Sequence, residues 1–140
     1  MNQIKPHHLW IGHAGDGRDI RKCHAHKIRA IVQLAMEEPP IKASRENIFL
    51  RFPLLDGSGN AADLLTLAID AVADLIEKRI PTLVCCGGGM SRSPAIAAAA
   101  LAITTRSDFE DCLTNVLESQ PADVSTSLLE EVRAVLKVMG

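Results

Sequence analysis

The chain has 140 residues, 47% of them hydrophobic, and a formal net charge of -2. This size and composition are typical of one soluble globular domain, so we expect residues 1–140 to form a single domain. The near-neutral charge offers no broad basic surface to nucleic acid or anionic lipid, so any anion site must be local. The N-terminal stretch has no signal-peptide pattern, and the longest apolar run, Ala95 to Ile103, is far shorter than a membrane span of about 20 residues. We therefore expect a cytoplasmic protein whose cysteines are thiols.

The first half of the chain alternates predicted strands with helix signals. Three short apolar or β-branched runs, each limited by glycine or proline, predict strands at residues 8–12, 28–35 and 47–55. Asp19 to His26 is a weak helix candidate. Asn60 is predicted to cap a helix with apolar residues at helical spacing, and this helix should end near Arg79 because Pro81 cannot continue it.

The second half is predicted to contain one more strand and three helices. The run "TLVCC" at 82–86 is typical of a fully buried strand, and residues 94–104 are apolar on all sides, as in a buried helix. Capping boxes at Ser107–Glu110 and Ser127–Glu130 predict helices to about residue 119 and over 128–139. This order predicts an α/β fold with a largely parallel central sheet flanked by helices, and with C-terminal helices.

The stretch "CCGGGMSRSPA" at 85–95 joins the predicted buried strand to the predicted buried helix. Ligands in open α/β sheets bind at such strand-to-helix loops, where free N–H groups and the helix dipole favour an anion. The planar guanidinium of Arg92 suits phosphate oxygens. A cysteine in this setting is predicted to be a thiolate, which indicates nucleophilic attack on phosphorus. The loop lacks the lysine of a Walker phosphate loop.

This loop resembles the C-x5-R-[ST] loop of cysteine-dependent protein phosphatases, and in particular the H-C-x-x-G-x-S-R-S form of the dual-specificity phosphatases. The matching residues are Cys86, Gly89, Ser91, Arg92 and Ser93. Similar segments extend the resemblance over nearly the whole chain: "LWIG" at 9–12, "AGDGRDIRK", "IRAIVQLA" and "FPLLDGSGN". The resemblance implies a phosphomonoester hydrolase in which Cys86 is the nucleophile and Ser93 assists departure of the thiolate. It also implies that phosphate is held by Gly87, Gly88, Gly89, Met90, Ser91 and Arg92.

Asp56 follows the third predicted strand, so it lies on a loop at the same end of the sheet as the cysteine loop. Expelling an alkoxide from a phosphate ester requires a proton donor. The resemblance implies that Asp56 is this general acid, and that it then activates the water that hydrolyses the phosphocysteine. Asp56-Gly57 is also a strong turn dipeptide. Asp63 is the second candidate acid, although its place in the first turn of a predicted helix explains it.

Cys85 departs from the resembling family, which has a histidine there. In the family this histidine helps to hold the neighbouring cysteine as a thiolate, so we expect lower activity here, and Cys85→His should raise it. Cys85 has two further interpretations: a redox partner that condenses with oxidised Cys86, or a buried small hydrophobe on a strand. The strain of a disulfide between adjacent cysteines favours the second.

Two other function classes stay open. A non-catalytic phosphate-binding module is one, because the histidine is missing. A sulfurtransferase is the other, although the C-x5-R-S spacing and Asp56 argue against it. We expect no metal or cofactor, because Cys23-His24-Ala25-His26 has no matching second half and the loop supplies its own charge stabilisation. The expected partner is a phosphorylated protein or another phosphomonoester, with no membrane and no nucleic acid.

Overall fold

The computed structural model describes residues 1–87 and 91–140, which form a five-stranded sheet packed between helices. The elements in chain order are β1 (Asn2–Gln3), β2 (Leu9–His13), α1 (Ala14–Arg18), α2 (Ile20–Ala25), β3 (Ala30–Ala35), β4 (Ile48–Leu54), α3 (Ala62–Glu77), β5 (Thr82–Cys86), α4 (Arg92–Thr105), α5 (Phe109–Ser119) and α6 (Thr126–Met139). The four predicted strands are confirmed as β2 to β5, and the predicted helices as α2 to α6. The sequence patterns missed β1 and α1. No helix of the described ranges is long and apolar enough to cross a membrane.

The sheet confirms the predicted α/β class. Its strand order is β1-β2-β5-β3-β4, and every neighbouring pair is parallel except β1 with β2. Parallel strands end at the same edge of a sheet. The residue pairs His13 with Cys86 and Gln33 with Cys85 fix the register beside the end of β5. The loops after β2, β3, β4 and β5 therefore emerge at one edge, where α/β proteins bind ligands.

Alternate residues of β5 enter different hydrophobic clusters. Val84 and Cys86 belong to the main core, beneath α3, α4, α5 and α6. Leu83 and Cys85 belong to a smaller cluster with Cys23 and neighbouring isoleucines. This separation follows from the alternation of side chains along a strand, and it places the two adjacent cysteines on opposite faces of the sheet.

Helix α4 begins at Arg92, two positions before the predicted start at Pro94. Proline is tolerated in the first turn because its missing N–H would have no helical partner there. The alanine-rich body of α4 is buried on all sides, as predicted. The earlier start places Arg92 in the first turn of the helix, at the end of the cysteine loop.

The last two helices begin at caps other than the predicted ones. Asp108, not Ser107, is the N-cap of α5, and its carboxylate accepts a hydrogen bond from a first-turn amide. Ser125, not Ser127, is the N-cap of α6, and it accepts from Leu128 N at 3.4 Å. Both residues have non-helical backbone angles, as a cap requires, so the helices start one residue beyond them.

Asn60 does not cap α3, contrary to the prediction. The N-cap is Ala61, which makes no side-chain cap bond, and α3 starts at Ala62. The Asn60 side chain instead bonds to the backbone of its own loop, at Leu55 and Gly57. Asparagine is favoured both at caps and in turns, and here the loop contact replaces the cap.

Candidate active site

Cys86 is the last residue of β5 and is fully buried beneath the sheet edge. Its neighbour in β2 is His13, whose side chain is exposed. Of the predicted phosphate-binding loop, Gly88, Gly89 and Met90 lie outside the described residues. The described ends of this loop, Cys86–Gly87 and Ser91–Ser93, place a thiol, a guanidinium and two hydroxyls at the same edge of the sheet.

Arg92 is buried with only 4% of its surface exposed. Its Nη1 donates to the carbonyl oxygen of Leu54 at 2.9 Å and to Glu37 Oε1 at 2.7 Å, and its Nη2 donates to Glu37 Oε2 at 2.6 Å. Its Nε is buried and has no partner within residues 1–87 and 91–140. Two of its nitrogen atoms are thus fixed by Glu37 and Leu54. Its third nitrogen is a buried donor with no acceptor among the described residues, and a phosphate oxygen would suit it.

Glu37 is a site residue that the sequence did not reveal. It lies just after β3, next to Met36, whose amide bonds to Leu54 O at 3.1 Å and so joins the ends of β3 and β4. The bidentate hydrogen bond from Arg92 lowers the pKa of the Glu37 carboxyl to about 2. Its position directly after a predicted strand could have marked Glu37 as a candidate site residue. The segment "EEPP" was instead explained as the sequence that ends the strand.

The segment that carries Glu37 is held by buried and charged side chains. Gln33, fully buried in β3, donates from its amide to Pro39 O at 2.9 Å and accepts from Ile41 N at 3.0 Å. Arg51 donates to Met36 O at 3.2 Å. These contacts fix the backbone around Glu37, so the carboxylate meets Arg92 in a defined geometry.

Asp56 lies on the exposed loop after β4, two residues beyond the carbonyl that Arg92 binds. The pKa of Arg92 is raised, first by its hydrogen bond to Glu37. The side chains of Cys86 and Asp56, when ionised, add smaller contributions of the same sign. The hydrogen bond from Arg92 to the Leu54 carbonyl places this guanidinium beside the end of β4, from which the chain leads into Asp56.

The two serines beside Arg92 differ in their contacts. Ser91 Oγ accepts a hydrogen bond from Ser125 N at 2.9 Å, which ties the loop to the start of α6. Ser93 is fully buried, and its Oγ has no partner in the part of the chain that the structure describes. A buried hydroxyl without a partner is available to a thiolate or a ligand.

Cys85 is buried in the smaller apolar cluster, as the simpler of its two sequence interpretations predicted. Burial raises the pKa of its thiol to about 12. Since Cys85 and Cys86 point to opposite faces of the sheet, condensation of the two sulfurs would require β5 to be rearranged. Cys85 is therefore a packing residue in this fold.

The described ranges contain no group of three or more His, Cys, Asp or Glu side chains that could hold a metal ion. In the Cys23-His24-Ala25-His26 segment, the Cys23 thiol is buried and donates to Asp16 O at 3.3 Å. The two histidines of the segment are exposed. Cys23 thus packs α2 against the rest of the fold, and the two histidines lie on the surface.

Comparison with known proteins supports the fold. No family model and no curated protein matches the sequence. Human DUSP28 is similar in structure, with a TM-score of 0.86 and 18% identity over 99% of this chain and 97% of that chain. A mouse putative dual specificity phosphatase complexed with zinc tungstate gives a TM-score of 0.85 and 20% identity, over 99% and 87% of the chains. The human tyrosine phosphatase-like serine/threonine/tyrosine-interacting protein gives a TM-score of 0.82 and 18% identity, over 99% of this chain and 97% of that chain. The chain therefore has the dual-specificity phosphatase fold.

Proposed function

We propose that this chain is a cysteine-dependent phosphomonoester hydrolase that acts on a phosphorylated protein. The observation that carries the proposal is the buried guanidinium of Arg92, at the start of α4. Glu37 and the carbonyl oxygen of Leu54 fix its orientation, and its Nε has no partner among the described residues. Cys86 is the last residue of β5 and lies six positions before Arg92, which is the C-x5-R spacing. The fold of the dual-specificity phosphatases supports the same chemistry.

In the proposed first step, the Cys86 thiolate attacks phosphorus, so that a P–S bond forms as the P–O bond to the leaving group breaks. Asp56 transfers its carboxyl proton to the leaving oxygen. Arg92 and the amides of residues 87–92 bind the equatorial phosphate oxygens, whose charge they stabilise as the bonds change. This cradle supplies the positive charge of the site, so the proposal includes no metal and no cofactor.

In the proposed second step, Asp56 takes a proton from water, and the resulting nucleophile attacks phosphorus. The P–S bond breaks, phosphate leaves and the Cys86 thiolate is regenerated. Ser93 Oγ, buried and unpartnered within the described ranges, donates a hydrogen bond to the departing sulfur. All four cysteines lie in the described ranges and are free thiols, which supports action in a reducing compartment such as the cytoplasm.

The test is turnover of p-nitrophenyl phosphate and phenyl phosphate by the wild type, Cys86→Ser and Asp56→Asn. We expect Cys86→Ser to fall to background, and Asp56→Asn to lose about 10²-fold or more with phenyl phosphate. Acid quenching followed by mass spectrometry should detect phosphate on Cys86 in the wild type. Wild-type turnover no faster than that of Cys86→Ser would refute the hydrolase.

Two additional measurements separate the other function classes. Binding of vanadate that is lost in Arg92→Lys, without any turnover, would indicate a phosphate-binding module. Turnover of thiosulfate that depends on Cys86 would indicate a sulfurtransferase. We expect the hydrolase result, because Arg92 binds the carbonyl oxygen of Leu54, two residues before Asp56, at the same edge of the sheet as Cys86.

A further inference from the structure

The loop that carries Asp56 is closed on itself by one side chain. We call residues 55–60 the acid loop. Asn60 Oδ1 accepts from Leu55 N at 2.7 Å, and Asn60 Nδ2 donates to the carbonyl oxygens of Leu55 at 3.2 Å and Gly57 at 3.1 Å. Gly57 and Gly59 have φ values of 140° and 98°, which residues other than glycine rarely adopt. The acid loop therefore has a specific closed shape around Asp56.

A carboxylate from the last helix holds this closed loop in place. Glu131 Oε2 accepts from Gly59 N at 2.8 Å, and Glu131 Oε1 accepts from Asn60 N at 3.2 Å and Asn60 Nδ2 at 3.1 Å. Three donors thus converge on one carboxylate that is half-buried on α6. Hydrogen bonds to an ionised acceptor are stronger than neutral ones, so Glu131 is a strong anchor for the loop.

The same end of α6 also contacts the cysteine loop. The amide of Ser125, the N-cap of α6, donates to Ser91 Oγ at 2.9 Å. Ser127 lies beside Gly57, since its Oγ would be in van der Waals contact, at 3.6 Å, with a Cβ added to that glycine. Helix α6 therefore contacts both the acid loop and the loop that carries the proposed nucleophile.

We propose that Glu131 is a positioning residue that sets the place of Asp56 for proton transfer. The proposal rests on the hydrolase function proposed above. Glu131 contacts the acid loop three and four residues after Asp56, so it acts through the loop backbone and does not touch the substrate. An acid on an exposed loop gains catalytic power only if its carboxyl group is held near the leaving oxygen.

The test uses two substrates that need the acid to different extents. Phenyl phosphate releases a phenolate whose conjugate acid, like tyrosine, has a pKa of about 10, so it requires protonation on departure. p-Nitrophenyl phosphate releases a stable phenolate and requires little. We expect Glu131→Ala to lower kcat/KM about tenfold with phenyl phosphate and less than about twofold with p-nitrophenyl phosphate. This ratio covers the steps up to departure of the phenolate, so it leaves out the later hydrolysis of the phosphocysteine, which is the same for both substrates. Equal losses with both substrates would overturn the proposal, because a general structural defect would have that effect.

Glu130 provides a matched control on the same helix. It is exposed and makes no side-chain hydrogen bond within the described ranges, so Glu130→Ala should leave both rates unchanged. Glu131→Gln keeps the size and one acceptor oxygen, so its loss should be smaller than that of Glu131→Ala. A thermal unfolding curve for each variant shows whether it is folded. If Glu131→Ala is unfolded, the ratio of the two rates in Glu131→Gln decides instead, and an unchanged ratio contradicts the proposal.

A double variant tests whether Glu131 acts through Asp56. In the Asp56→Asn background the acid is already absent, so Glu131→Ala should cause no further loss with phenyl phosphate. A further tenfold loss would overturn the positioning role and leave the hydrolase intact. If Asp56→Asn lowers kcat/KM equally with both substrates, Asp56 is not the acid and the inference fails with that assignment. If the wild type has no Cys86-dependent turnover, the hydrolase and the inference are both refuted.

Discussion

Replacing Glu37 with glutamine should destabilise the protein through the buried Arg92. The Arg92 side chain is 5% exposed, whereas the Glu37 side chain is 59% exposed. Two hydrogen bonds, at 2.7 and 2.6 Å, join the pair. Glu37→Gln keeps the shape and one acceptor but removes the negative charge. Arg92 then retains Leu54 O as an acceptor, and its charge is left without a carboxylate in contact.

The expected magnitude lies between those of buried and exposed ion pairs. Breaking a fully buried pair costs about 3–5 kcal/mol, whereas exposed pairs contribute about 0–1 kcal/mol. Water reaches more than half of the Glu37 side chain and screens the attraction between the two charges. We therefore expect Glu37→Gln to lower the free energy of unfolding by about 1–2 kcal/mol at neutral pH. For a chain of this length, such a loss lowers Tm by roughly 3–8 °C.

The loss should depend on pH with a defined sign. The pKa of Glu37 is lowered from 4.5 to about 2, chiefly by the hydrogen bond from Arg92. A carboxyl group whose pKa is depressed by folding contributes stability above its unfolded pKa, and this contribution is lost as the pH falls towards the folded value. The difference in unfolding free energy between the wild type and Glu37→Gln should therefore be constant from neutral pH to about pH 5 and shrink below it.

Urea denaturation at several pH values, from neutral to about pH 3, measures this difference. Glu38→Gln is the matched control, because within residues 1–87 and 91–140 the Glu38 carboxylate pairs only with Arg18, at 3.3 Å. We expect the control to lose less than about 1 kcal/mol. A difference for Glu37→Gln that stays constant down to the lowest pH, or a loss no larger than that of the control, would refute the reasoning.

Three other substitutions test the packing around the site. Cys85→His should cost about 1–3 kcal/mol in a thermal or urea melt, because imidazole would overfill a closed apolar cluster, and it should not raise turnover as the family resemblance alone implied. Gly87→Ala places a Cβ 2.7 Å from Glu37 Oε2, so it should separate the ion pair and weaken vanadate binding by about tenfold, measured by inhibition or calorimetry. Asp16→Asn removes the buried carboxylate that Lys22 contacts at 2.6 Å, and it should cost about 1–3 kcal/mol at neutral pH. The pKa of Asp16 is lowered despite its desolvation, so this last loss should shrink in acid; a loss that grows in acid would contradict it.

The parts of the fold that the sequence predicted are those set by local patterns. The four predicted strands are short apolar runs between turn residues, and α4 is an unbroken apolar segment. The cysteine loop was recognisable because the residues of its motif are close together in sequence, and Asp56 became the proposed acid through the family resemblance of the segment after the third strand. Each of these signals lies within about ten residues of sequence, the range over which periodicity and turn chemistry act.

The residues that the sequence did not reveal act through long-range contacts. Glu37 meets Arg92 across 55 positions, and Glu131 meets Asn60 across 71. Neither glutamate has a local neighbour that distinguishes it from a solvated surface charge. Asn60 was misassigned for a related reason: its cap and turn preferences compete, and the distant Glu131 favours the turn.

The strand order explains why two acidic residues at one sheet edge have different proposed roles. Strand β5 is followed in the sheet by β3 and then by β4. Glu37 follows β3, one strand away from the cysteine loop, and so its carboxylate reaches Arg92 directly. Asp56 follows β4, two strands away, which is a separation of about 10 Å at the sheet edge. Under the proposed mechanism, a phosphoryl group and its leaving oxygen must fit between the thiolate and the acid. Only Asp56, the more distant of the two carboxyl groups, is far enough from the cysteine loop to leave room for them. The residue types were visible in the sequence, but their division between an arginine partner and a proton donor depends on an order of strands that no local pattern encodes.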